Sequence, residues 1–165
     1  MSDVLIDPAD YRRVLGHFPT GVTVIATDTG EATVGLAVGS FFSISLDPPL
    51  VGFCVGDNST SWPEIEASGH FVVNVLSDAQ ADLSGIFAGK SDNKFDGVDW
   101  SPGPGHGSPR IDGCLAHIDC SLESAIPAGD HVIVVGRVHA LDVADGGTGP
   151  LLFFQGGYGQ FERLG

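Results

Sequence analysis

Cys54, Cys114 and Cys120, the turn histidine His131, serines at 40, 43 and 45, and the polar loop Asp57 to Thr60 are the residues whose types and spacing invite chemistry. An odd number of cysteines with no pair two residues apart supports neither a disulfide framework nor a cysteine-rich metal site, so buried free thiols are expected. The other five histidines are scattered and include no pair four apart with a catalytic glutamate, which leaves a zinc hydrolase unsupported. Nucleophile elbow, phosphate-binding loop and dinucleotide fingerprint are all missing. No acid–base or covalent catalyst is legible.

Four stretches each allow two readings. Gly39 to Ser45 mixes glycine, hydroxyls and aromatics: either turn and strand-edge serines, or a wall for a flat polar heterocycle whose edge atoms pair with hydroxyls and backbone. Asn58, Ser59 and Thr60 precede a short helix, where they serve as an ordinary cap or hold a phosphate near free amides. Lys90 and Lys94 are the two lysines of the chain and lie four residues apart. They are either solvated or in contact with an anion. Gly129, Asp130 and His131 form a tight turn, with His131 in water or acting as a pH switch, ligand or donor to substrate.

The elements that must position these residues follow from patterning. Asp7 before Pro8 starts a helix with an apolar face of Tyr11, Val14, Leu15 and Phe18. Val22 to Thr27 reads as a strand entering a hairpin, and a second strand is expected from Ala32 to about Leu46, ended by Pro48 and Pro49. Leu50 to Val55 and His70 to Leu76 are further strands, with a helix at Trp62 to Ala67 between them. Ser77 and Gln80 form a capping box for a helix through Phe87. Ala88 to Arg110 reads as a long surface loop. Cys114 to Ile126 alternates as a half-exposed strand, with His117, Asp119, Ser121 and Glu123 outward. From Val132 to Val143 nearly every position is apolar, so both faces of that strand are expected to be covered, one by the core and one by another element or subunit.

Composition agrees with such a fold. The 165 residues suit one domain, and 42% apolar, 17% charged and 24 glycines favour a turn-rich sheet protein over disorder or coiled coil. A barrel of six or seven strands with two or three small helices is the economical assembly. The formal charge of −14, from 21 acids against 7 bases, argues against nucleic-acid or membrane-surface binding. Neither a signal-like N-terminus nor a spanning apolar run is seen, so a cytoplasmic location is expected.

Taken together, Phe18 to Thr23 (FPTGVT), Ser40 to Leu50 (SFFSISLDPPL), Phe71 to Leu76 (FVVNVL), Phe87 with Lys94 and Phe95, Gly129 to His131 (GDH) and Gly157 with Tyr158 resemble the flavin reductase-like family. These are split-barrel reductases that supply reduced flavin to two-component monooxygenases. The resemblance implies one homodimeric domain over residues 1–165, a mainly β, six-stranded antiparallel Greek-key split barrel with a few short helices. It implies FMN or FAD as cofactor, NADH or NADPH as co-substrate, and an oxygenase component that receives reduced flavin. By position, Ala37, Val38, Gly39, Ser40 and Ser45 would line the isoalloxazine, and Phe53, Cys54, Val55, Asn58, Ser59 and Thr60 would pass along the flavin toward its phosphate. Phe87, Lys94 and Phe95 would close the site, and His131 and Tyr158 would meet the nicotinamide. The chain departs from the family at Ala37 and Gly39, where relatives often carry threonine and asparagine or glutamine. A flavin-binding electron carrier or sensor, or an apolar-ligand barrel, would use the same fold without the reaction.

Overall fold

The computed structural model describes residues 5–144 and 149–165. Asp7 caps α1 (Pro8–Leu15), accepting from the Ala9 amide at 2.7 Å, with Pro8 in the first helical turn. Its apolar residues do not pack inward: Tyr11, Val14, Leu15 and Phe18 are all exposed. The chain then runs through β1 (Thr20–Gly21), β2 (Thr23–Asp28), β3 (Thr33–Val38), β4 (Phe42–Leu46), β5 (Pro49–Gly56), α2 (Trp62–Ser68) and β6 (His70–Val75). The capping box of Ser77 and Gln80 forms as expected, opening one 3-10 turn that leads into α3 (Ala81–Ala88). After it come β7 (Trp100–Pro102), β8 (Pro109–Ile111), β9 (Ala116–Ala128), β10 (His131–Val143), β11 (Leu152–Phe154) and β12 (Gly157–Gly159).

The structure is mainly β, but its principal sheet has seven antiparallel strands in the order β3-β2-β6-β9-β10-β5-β4, and among the described residues no ladder joins the two ends into a closed barrel. The expected count of six is therefore corrected. The single strand expected from Ala32 to Leu46 breaks at Gly39 to Phe41, and its halves, β3 and β4, become the opposite edges of the sheet. The connection from β5 through α2 crosses over, so β6 lies beside β2.

Alternation distributes side chains between two cores. Ile25, Phe53, Phe71, Val73 and Val134 meet Trp62 and Ile65 of α2 on one side, where Phe53 sits edge-on to both Phe71 and Trp62. Val24, Ala26, Val72 and Leu76 meet Phe87 of α3 on the other. Both faces of β2 are thus buried, which accounts for its unbroken β-branched run. Gly35 permits the second packing, because a Cβ there would stand 2.9 Å from the Phe87 ring. At the far end, Gly129 takes φ +68° in the two-residue turn between the 13-residue strands β9 and β10.

Two further expectations are revised. The segment from Ala88 to Arg110 is not simply a surface loop, since it carries the β7–β8 hairpin and buries Lys94. The polar face of β9 is not half-exposed along its first half, because that hairpin covers it: His117 and Asp119 are buried, with Arg110 donating to Asp119 and Asp142. On β10 the apolar residues are largely half-buried, and Leu141 and Val143 at its end are exposed.

Asn74 fastens the hairpin to the sheet. Fully buried, it donates to Val24 O and Pro109 O, both at 3.2 Å, and accepts from the Ile111 amide at 2.8 Å. Asn74→Ala would leave two buried backbone groups, Pro109 O and the Ile111 amide, without their partners and should cost about 2–4 kcal/mol. Urea unfolding measures it; a change below ~0.5 kcal/mol would mean that these groups find other partners.

Candidate functional site

β5 pairs with β10 from Leu50 to Gly56 but with β4 only as far as Gly52. Past that point its outer edge would be bare. Ser40, two residues beyond β3, fills the gap: its hydroxyl donates to Cys54 O at 3.1 Å and accepts from Cys54 N at 2.8 Å. The far edge of β3 is handled similarly by Lys94, whose ammonium donates to Gly35 O at 3.1 Å, Ser61 Oγ at 3.1 Å and Phe87 O at 3.3 Å. The two ends of the sheet therefore approach through side chains rather than through a ladder.

A cavity of about 340 Å³ opens beside this junction, within the range of small-molecule sites. One wall is the end of β3, from Leu36 through Ser40, and another is Cys54 to Gly56 of β5. Asn58, Ser59 and Thr60 close one end, Phe87 to Lys90 at the end of α3 close another, and His131 stands at the β10 side. Strand register fixes the histidine, because His131 pairs directly opposite Gly56. A Cβ at Gly56 would reach within 3.0 Å of Asn58 Oδ1 and 3.8 Å of His131 Nε2, so the glycine keeps the space between them open. The other ring nitrogen, Nδ1, lies 2.7 Å from Asp130 Oδ1. Hydrogen bonding and the charge of His131 hold the Asp130 carboxyl below the usual carboxylate range.

Of the residues singled out from the sequence, the structure brings Ala37, Val38, Gly39, Ser40, Cys54, Val55, Asn58, Ser59, Thr60, Phe87, Lys94 and His131 together around this cavity. Four lie elsewhere. Phe53 points into the core between Trp62 and Phe71, as alternation with Cys54 requires. Ser45 sits at a bulge of β4 opposite Leu50. Phe95 stands behind the wall, edge-on to Phe87 at 4.9 Å. Tyr158 donates to Ser84 Oγ at 2.8 Å, one turn before the part of α3 that lines the cavity. Ser59 has a capping role, accepting from the Trp62 amide at 3.2 Å.

Burial lowers the pKa of the Lys94 ammonium, opposed by the nearby charge of Asp92. Leu36, Ala88, Gly89 and Lys90 also line the cavity and are not among the site residues expected from the sequence. The scarcity of lysines is a signal for Lys90, whereas nothing local marks Leu36, Ala88 or Gly89.

Residues 15–162 match the flavin reductase like domain family. This chain belongs to the flavin reductase-like family. A flavin reductase of Pseudomonas putida is 50% identical over 160 residues, covering 96% of this chain and 93% of that protein. The reductase subunit HsaB of a flavin-dependent monooxygenase from Mycobacterium tuberculosis is 49% identical over 158 residues, 95% of this chain and 84% of its own. Among solved structures, a nitrilotriacetate monooxygenase component B homolog from Mycobacterium thermoresistibile superposes with a TM-score of 0.89 at 48% identity, covering 93% of this chain and 86% of that one. FMN and FAD both occur, with NADH, in the names of further relatives.

Within this flavin reductase-like fold the three thiols differ. Burial pushes Cys114 and Cys120 up to about 12, so at pH 8 only roughly one in ten thousand of each is thiolate. Cys54 is half-buried and lines the cavity. A disulfide reagent at pH 8 should therefore label one thiol quickly in the folded protein and three after unfolding. Two fast thiols would contradict this placement.

Proposed function

We propose that this chain is an NAD(P)H-dependent flavin reductase, passing hydride from a nicotinamide to FMN or FAD and supplying reduced flavin to an oxygenase partner. The observation that supports it best is the cavity at the unclosed end of the sheet, where residues from six separate stretches of the chain line a space of about 340 Å³. Its donor set suits a flavin: a flat strand wall with small residues Ala37 and Gly39, backbone and hydroxyl groups along Asn58 to Thr60, and a lysine at the mouth. A bound flavin would supply the hydride acceptor, and cofactor chemistry is consistent with a chain that lacks a catalytic triad.

The work left to the protein is placement. Ser40, by fixing Cys54, sets the distance between the two walls on which the ring would lie. His131, held at Nδ1 by Asp130 and by register with Gly56, is positioned to offer Nε2 as a hydrogen-bond partner to the carboxamide of an incoming nicotinamide. Tyr158 is half-exposed beside α3, and we assign it the lesser part of covering the dinucleotide. The fold leaves Tyr11, Val14, Phe18, Leu141 and Val143 exposed, and a homodimer would cover such apolar surface. The same reading keeps the chain in the cytoplasm, where its thiols stay reduced. Among the described residues no helix is long and apolar enough to cross a membrane.

Purified protein should oxidise NADH or NADPH only when FMN or FAD is added, tested in all four pairings. Flavin binding without nicotinamide oxidation would leave a carrier instead. His131→Ala should raise KM for the nicotinamide and slow flavin reduction while flavin affinity stays nearly intact, and His131→Asn should recover part of the loss. A steep titration between about pH 5 and 8 that asparagine does not rescue would make His131 a general acid instead; unchanged kinetics in His131→Ala would remove it from the site.

A further inference from the structure

The two lysines beside the cavity have different surroundings. Lys94 is buried at 6% exposure, and all three of its N–H donors are taken by Gly35 O, Ser61 Oγ and Phe87 O. Those acceptors belong to the edge of β3, the start of α2 and the last turn of α3. One ammonium thus fastens three walls of the cavity. It also neutralises the carbonyl end of α3, which would otherwise present negative partial charge to an anion. Nothing on its nitrogen is left for a ligand.

Lys90 is exposed, lies at the cavity mouth beyond that same helix end, and has no ion-pair or hydrogen-bond partner among the described residues. The remaining bases leave few alternatives. Arg13, Arg110 and Arg137 are held by Asp10, by Asp119 with Asp142, and by Glu123. Arg12 and Arg163 do not line this cavity. Asn58 to Thr60 face the mouth from the other side with neutral donors.

We propose that Lys90, rather than Lys94, is the cation that meets the phosphate of the bound flavin, and that Lys94 is a positioning residue that shapes the cavity without touching that phosphate. This rests on the flavin reading above. A phosphate at Lys90 sits where an exposed, flexible ammonium can reach it, and its contribution is screened by salt. The cavity held by Lys94 serves the ring and the phosphate alike, so its loss falls on both.

The test compares FMN with riboflavin, which has the same ring and ribityl chain but no phosphate, by titrating oxidised flavin into the apoprotein and following fluorescence. Wild type should bind FMN more tightly than riboflavin, with the advantage shrinking as salt is raised. Lys90→Gln should weaken FMN roughly tenfold and leave riboflavin within about twofold. Lys94→Met should weaken both by the same factor and leave their ratio unchanged. Ser61→Ala, a milder cut at the same junction that keeps every charge, should also move both together and stands in if Lys94→Met does not fold. An unchanged FMN-to-riboflavin ratio in Lys90→Gln overturns the assignment, as does a loss in Lys94→Met confined to FMN. If wild type binds neither compound, the flavin reading itself fails. If it binds both equally, the flavin reading stands and the phosphate contact is wrong.

Discussion

A curled antiparallel sheet that stops short of closing must do something with the backbone groups at its two ends, because a buried amide or carbonyl without a partner is expensive. Here β3 has a ladder on one side and β5 loses its second ladder past Gly52. Ser40 answers the second deficit with one hydroxyl that both donates to and accepts from Cys54. Lys94 answers the first at Gly35. Each fixes local geometry that a continuous ladder would have fixed, while leaving room beside it, and the cavity occupies that room. A fully closed barrel of the same strands would have continued the ladder where Ser40 and Cys54 now meet.

The capping signals at Asp7 and at Ser77 with Gln80 were readable because a cap involves residues two to four apart. So was the Gly129–Asp130 turn, where composition and positive φ coincide. The break between β3 and β4 was not, since nothing local distinguishes a strand that continues through Gly39 and Ser40 from one that leaves the sheet there. That decision is made by Cys54, 14 residues away. Burial of Lys94 was hidden for the same reason, its first acceptor lying 59 residues back. The outward face of β9 read as solvated because His117 and Asp119 are polar, but their partners, Ile111 O and Arg110, arrive with a hairpin that the glycine- and proline-rich loop concealed.

The site residues divide along the same line. Those on or next to strand ends, such as Ala37 to Ser40, Cys54 and His131, came together because two converging edges place short stretches of sequence on facing walls. Those expected further along the same segments did not: Phe53 is packed between Trp62 and Phe71, and Ser45 lies on β4 opposite Leu50. Phe53 contributes instead as the ring between Trp62 and Phe71, holding α2 against the sheet and so placing the loop at Asn58 to Thr60.

An acidic chain also has to receive an anionic nucleotide against its own field. With 21 acids and 7 bases, a generally positive surface is out of reach, and long-range attraction cannot do the work. Local arrangement is the remaining means. Burying one cation where three wall segments need an acceptor-free partner removes the negative end of α3 from the cavity without exposing a counter-charge, and a second cation four residues away can then act at short range. Such a site discriminates by shape more than by charge, since most of its lining is strand wall and glycine, and the charged contact is confined to its mouth. On the proposal above, holding of the ring and holding of the phosphate would rest on separate parts of the structure, one on the sheet junction and the other on the loop after α3.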